Sequence, residues 1–197
     1  MFSLKKSFAR KIRKSVFVVW LLLLSVFYLF PNDAKALQDG GAEYELKAGF
    51  IYNFTQLIKW PEEIASLSDH FVVPFEFSMC VVGKDPFGDL LDVLAKNLRA
   101  QGRPMNVLRL KMKHPWYECH ILFVPKSENR NMKKILKKVS YSPVLVIGEG
   151  PFEGNEKPAI SFLIKDETIQ FNINAEAIKK SGLTVNSELL DIALEVD

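Results

Sequence analysis

Three histidines and two cysteines are the side chains best suited to chemistry in this 197-residue chain. His114, Glu118, Cys119 and His120 crowd one short stretch, while His70 falls in a polar connection. Cys119 and His120 are neighbours on an apolar run. Adjacent strand residues point to opposite faces, so this pair cannot work as nucleophile and base. His114 and His120 lack a common zinc-ligand spacing, and nothing else supplies a fixed second pair of ligands. No serine elbow, HExxH, P-loop or GxGxxG pattern occurs. Gly148-x-Gly150 runs into Pro151, not into a helix whose free N–H groups would hold a phosphate. The expectation is a protein that is not an enzyme and that needs no metal or cofactor.

What Cys80 and Cys119 do depends on the compartment, which the charge distribution addresses. The net charge is +3, from 26 basic and 23 acidic residues. Residues 1–36 hold seven of the basic residues, Lys5, Lys6, Arg10, Lys11, Arg13, Lys14 and Lys35, against the single acid Asp33. An uncharged run of 15 residues, Val16 to Phe30, leads to Ala34-Lys35-Ala36. A basic start, an apolar run and a small-x-small site are the parts of a secretory signal peptide. The run is shorter than the roughly 20 apolar residues of a spanning helix. Cleavage after Ala36 is expected, with an uncleaved anchor as the alternative, leaving one domain over 37–197. That domain has 19 basic and 22 acidic residues, net −3, so nucleic-acid binding loses its support. The protein would work in an oxidising compartment, where two cysteines are expected to pair. Two buried thiols are the alternative. Cys80 falls late in its strand and Cys119 at the start of its own, so parallel neighbours would be staggered unless the third strand begins earlier, near Tyr117.

The elements that would position these residues follow from periodicity. Leu46, Phe50, Phe54, Leu57 and Ile58 share one face of a helix ended by Trp60-Pro61, with Glu43 and Lys47 as an i,i+4 pair. Strands are expected over 75–82, 105–110, 119–124 and 144–147. Asp85-Pro86 is expected to open a helix carrying Phe87, Leu90, Leu91, Leu94 and Leu98. Ser127 is expected to cap another, with Met132, Ile135, Leu136 and Val139 inward. Residues 159–164 and 168–173 read as a hairpin with one wet face. Asn174 caps a short helix ended by Gly182, and a last helix carries Leu189, Leu190, Ile192 and Ala193. The predicted fold is a single α/β domain: a mostly parallel sheet of about five to six strands, helices on both faces and an antiparallel C-terminal hairpin.

Two surfaces stand out. Arg130, Lys133, Lys134, Lys137 and Lys138, with Lys126, form a basic helix face. It reads as a solvated face, with docking to an acidic patch or anionic lipid as the functional alternative. Trp60, Pro61 and Phe87 sit at element ends, where aromatic and apolar side chains line partner or ligand sites.

The order of motifs then carries a resemblance. Trp60-Pro61 is followed by Val82-Gly83-Lys84-Asp85-Pro86-Phe87-Gly88, Gly102-Arg103-Pro104, Cys119-His120-Ile121-Leu122-Phe123 and Pro143-Val144-Leu145-Val146-Ile147-Gly148. Ile160-Ser161-Phe162, Phe171-Asn172-Ile173-Asn174 and Gly182-Leu183-Thr184-Val185-Asn186-Ser187-Glu188-Leu189-Leu190 close the chain. Across nearly all of 37–197 this resembles the YfiR family of small periplasmic proteins. The resemblance implies a non-enzymatic regulator that represses an inner-membrane diguanylate cyclase through its periplasmic domain, and so lowers cyclic di-GMP and biofilm formation. It matches Cys80 and Cys119 to the family's central cysteine pair. The second pair of the redox-responsive members is missing, since no cysteine follows Cys119. The alternative function is a small-molecule-binding sensor protein serving another membrane receptor or a sensor kinase. The first helix can pack on its own domain or form a homodimer.

Overall fold

Apolar residues near the front wind into α1, Gln38–Leu57, in the structure, a computed structural model that describes residues 38–61, 76–114, 116, 118–154 and 156–197. The expected signal peptide and cleavage site, and the connection holding His70, lie outside the described residues. The α/β unit spans Gly41–Asp197, and Met1–Gly40 is a separate unit.

Helix α1 ends before Trp60-Pro61. Ile58–Lys59 already leaves the helix as β1 and pairs antiparallel with β9, Thr184–Val185. The Gln101 amide donates to the carbonyls of Thr55 and Ile58 at 3.1 and 2.7 Å, satisfying acceptors that a helix end leaves open. The buried residues of α1 are Lys47, Ala48, Ile51, Phe54, Thr55 and, just past the helix, Ile58. Leu46, expected inside, is 59% exposed.

The central strands are β2 (Phe77–Val82), β4 (Arg103–Leu110), β5 (Ile121–Val124), β6 (Leu145–Glu149), β7 (Ile160–Lys165) and β8 (Thr168–Ile173). With β3 (Arg99–Ala100) and β10 (Glu195–Val196) they form, among the described residues, one sheet of eight strands, in the order β10-β8-β7-β6-β5-β2-β4-β3. The expectation of five to six strands is corrected by β3 and β10. Two residues are too few to show a period, so these edge strands leave no sequence signal. The β2–β4, β2–β5, β5–β6, β6–β7 and β8–β10 pairs are parallel, and β7–β8 and β3–β4 are antiparallel.

Helix α2, Leu90–Asn97, begins later than expected. Asp85 Oδ1 accepts from Phe87 N–H at 2.8 Å, and Gly88 sits at φ +57°, so Asp85-Pro86 opens a turn and the helix starts only after it. Ser127 caps no α-helix. Lys126–Asn131 is a 3₁₀ helix starting after Pro125, and α3 runs from Met132 to Val139. Asn174 caps α4, Ala175–Lys180, by accepting from Ala177 N–H, as expected. The last helix, α5, is Ser187–Asp191, so Ile192 and Ala193 fall outside it.

Alternation along the strands divides the core between the two faces. Phe77, Met79, Val81, Phe123, Ile147 and Phe162 pack with α1, α2, α4 and α5 on one face. Cys80, Val82, Leu122, Val124 and Val146 pack with α3 and Trp116 on the other.

Candidate docking surface

Cys80 and Cys119 are disulfide-bonded, with Cα atoms 5.8 Å apart. The register pairs Met79 with Ile121, which would set Cys119 opposite Phe77 if the strand continued. It does not continue. Cys119 N–H donates to Trp116 O at 3.1 Å, and this turn folds Cys119 over the α3 face onto Cys80. The expected stagger is removed by a later strand start, not an earlier one. His120 leaves the turn on the opposite side. Its Nδ1 accepts from Ser78 N–H at 3.1 Å, and its ring stacks on Phe77 at 4.5 Å and lies 6.3 Å from Trp60. His114 Nδ1 accepts from Lys111 N–H, and Glu118 is exposed. The stretch from 114 to 120 therefore separates its polar groups, and no metal-binding cluster occurs among the described residues.

Trp60 and Phe87 do not meet. Trp60 packs on Phe77, the first residue of β2, at 4.9 Å. Phe87 follows the last residue of β2 and packs on Phe123 at 4.7 Å and Tyr44 at 5.2 Å. The two lie at opposite ends of the sheet, both buried, and only Pro61 is partly exposed.

Strands β4-β2-β5-β6-β7 have the doubly wound order, in which ligands bind outside the carboxyl ends of the strands at the switch point. Here protein fills that crevice. Gly83, at φ +82°, follows β2, and a Cβ there would lie 2.6 Å from Glu128 Oε1 of the 3₁₀ helix after β5. Glu149 is buried at the end of β6. It pairs with buried Lys47, accepts from Lys126 N–H at 2.9 Å and lies 3.4 Å from the Tyr44 hydroxyl. Lys47 also pairs with Glu43, the expected i,i+4 partner. Burial and the Glu149 charge raise the Tyr44 hydroxyl well above the ordinary tyrosine range. Sequence reading missed this ion pair. Its signal was a lone glutamate closing the apolar run 144–148.

The remaining surface has two notable regions. Phe50 and Phe54 of α1 stack among Phe162 and Phe171 at 5.1–6.3 Å. Beyond that cluster the apolar surface is uncovered: Ile164 is 63% exposed, and Leu194 and Val196 are exposed beside Phe171 and Ile173. Alternation puts Ile164 on the same face as Phe162, and Leu46 precedes Phe50 by one helical turn. The second region is a groove of about 550 Å³ floored by Leu136, Val139 and Val146. Its rim carries the Lys157–Asp197 and Glu176–Lys180 pairs.

These features define a class: a single doubly wound α/β domain, crosslinked beneath α3, with its switch-point crevice filled by its own side chains. The chain belongs to the YfiR/HmsC-like family, whose model matches residues 44–194. No described helix is long and apolar enough to cross a membrane.

Proposed function

We propose that this protein is an exported, non-enzymatic regulator in the periplasm. It binds the periplasmic domain of an inner-membrane signalling protein, a diguanylate cyclase, and holds it inactive. The observation that carries the reading is the set of exposed apolar side chains Leu46, Ile164, Leu194 and Val196 in a YfiR/HmsC-like chain. Exposed apolar surface marks interaction sites. Repression requires tighter binding to the inactive partner conformer than to the active one, since equal affinity shifts nothing. Pro61, partly exposed beside buried Trp60, is a second contact, and Phe87 is buried against Phe123 and Tyr44. Deleting the gene in a strain that retains the cyclase raises cyclic di-GMP and biofilm formation. An unchanged cyclic di-GMP level overturns the reading.

The groove favours a second reading, a sensor that presents a small ligand to a different membrane receptor. Its volume is ligand-sized, and its floor is apolar with a polar rim.

A further inference from the structure

The cations of this chain are unevenly placed. No acidic residue occurs from 129 to 148, a span that holds Arg130, Lys133, Lys134, Lys137 and Lys138. Helix α3 buries Met132, Ile135 and Val139, which leaves its four lysines exposed. Lys133 is paired with Glu156 at 2.6 Å, whereas Lys134 and Lys137 make no ion pair among the described residues. Lys138 donates to Met112 O at 2.9 Å and lies 4.5 Å from the Trp116 ring centre. That bond ties the turn after β4 to α3 and brings exposed Lys111 and Lys113 to the same side. Tyr141, one residue past Ser140 at the C-cap of α3, is 89% exposed. The nearby carboxylates are exposed Glu118, Glu156 paired with Lys133, and, across the groove beside α3, Asp197 and Glu176, paired with Lys157 and Lys180. All this lies on a domain whose net charge over 37–197 is −3, so the protein is electrically polarised.

We propose that the outer face of α3, with Lys111 and Lys113, docks the domain onto an anionic phospholipid surface. The exposed face of α3 is charged without an apolar stripe, because Met132, Ile135 and Val139 face the core. It suits contact with headgroups, not insertion. Tyrosine is favoured at the membrane–water boundary, where Tyr141 would rest. The inference rests on the reading of an exported protein that serves a membrane partner. Lipid contact would hold the domain in the plane where that partner projects.

The test uses the processed protein recovered from the periplasmic fraction. It is floated with vesicles of phosphatidylcholine, with and without phosphatidylglycerol. Binding is expected only with phosphatidylglycerol and is expected to weaken as salt rises. Each neutralised lysine should cost about fivefold in partitioning, so Lys134→Gln with Lys137→Gln should cost about 25-fold. The pair Lys96→Gln and Lys165→Gln, which removes the same charge elsewhere, should leave binding within about twofold. Absence of binding to the anionic vesicles overturns the proposal, as does equal loss from both pairs. Binding to polyglutamate without vesicle binding overturns it in favour of an acidic protein partner. Cyclic di-GMP in the deletion strain is a separate readout, so either reading can fail alone.

Discussion

His120 shows how one side chain can be chemically silent and structurally exacting. Its imidazole is buried between Phe77 and Trp60, and its Nδ1 accepts a backbone N–H that would otherwise be buried without a partner. Burial, with a smaller push from the Arg103 guanidinium, lowers the group from 6.5 to about 4. The folded protein therefore holds His120 neutral, while the unfolded chain takes up the proton from about pH 6.5 downward. Its contribution to stability is complete above that pH and is lost as the pH falls towards 4, by about 3 kcal/mol at most. His120→Asn keeps an acceptor at the δ position and removes the titration. Urea unfolding between pH 7 and 4 should show a shallower stability loss for the variant than for the parent. Parallel pH profiles would refute the assignment. The same stretch shows why residue types alone misdirect: four chemistry-bearing residues in sequence are sent by one turn and one strand start to different faces.

At the scale of elements, the disulfide joins a turn to the central strand. Both sulfur atoms are buried beneath α3, and 39 positions separate the two cysteines. Closing a loop of that size accounts for about 4 kcal/mol in the chain-entropy model, an upper figure. Cys80→Ala with Cys119→Ala should lower the unfolding free energy by up to that amount. Because the bond is shielded, mild reductant should release no titratable thiol until denaturant is added. Prompt release of two thiols from the native protein would contradict this. Elements with long patterns were legible in the sequence: α1, the six longer strands and the α4 cap come from apolar period and an asparagine at the right place. The dipeptide strands β1, β3, β9 and β10 were not legible, because they exist only through pairing with distant partners. Helix starts failed where a local turn outcompeted the expected cap, as the Asp85–Phe87 bond does before α2. On α1 the expected Phe54 and Ile58 are fully buried and Phe50 and Leu57 pack against the core, while Leu46 is exposed.

The exposed apolar side chains Ile164, Leu194 and Val196 belong to the hairpin and the β10 segment, whereas the lysines of α3 lie over the sheet face that carries the disulfide. The edge strands β3 and β10 are only two residues long and cover only Arg103–Pro104 of β4 and Asn172–Ile173 of β8. The six-residue hairpin strands β7 and β8 pair across their full length, so the tip residue Ile164 has a fixed backbone although it is exposed. Such rigid apolar groups are suited to be anchors, where losing one can cost about 2 kcal/mol or more in binding, roughly a 30-fold loss of affinity. Ile164→Glu with Leu194→Glu places two charges in that surface at sites 63% and 42% exposed in the free domain. Stability should change by less than about 1 kcal/mol. Cyclic di-GMP should nevertheless rise to the level of the deletion strain, at unchanged protein abundance. Lys165→Glu, beside Ile164 but of opposite orientation in the strand, should leave repression intact. Full repression by the double variant would show that the partner binds elsewhere on the domain. A rise with Lys165→Glu as well would show that charge near the hairpin, not its apolar face, governs the contact.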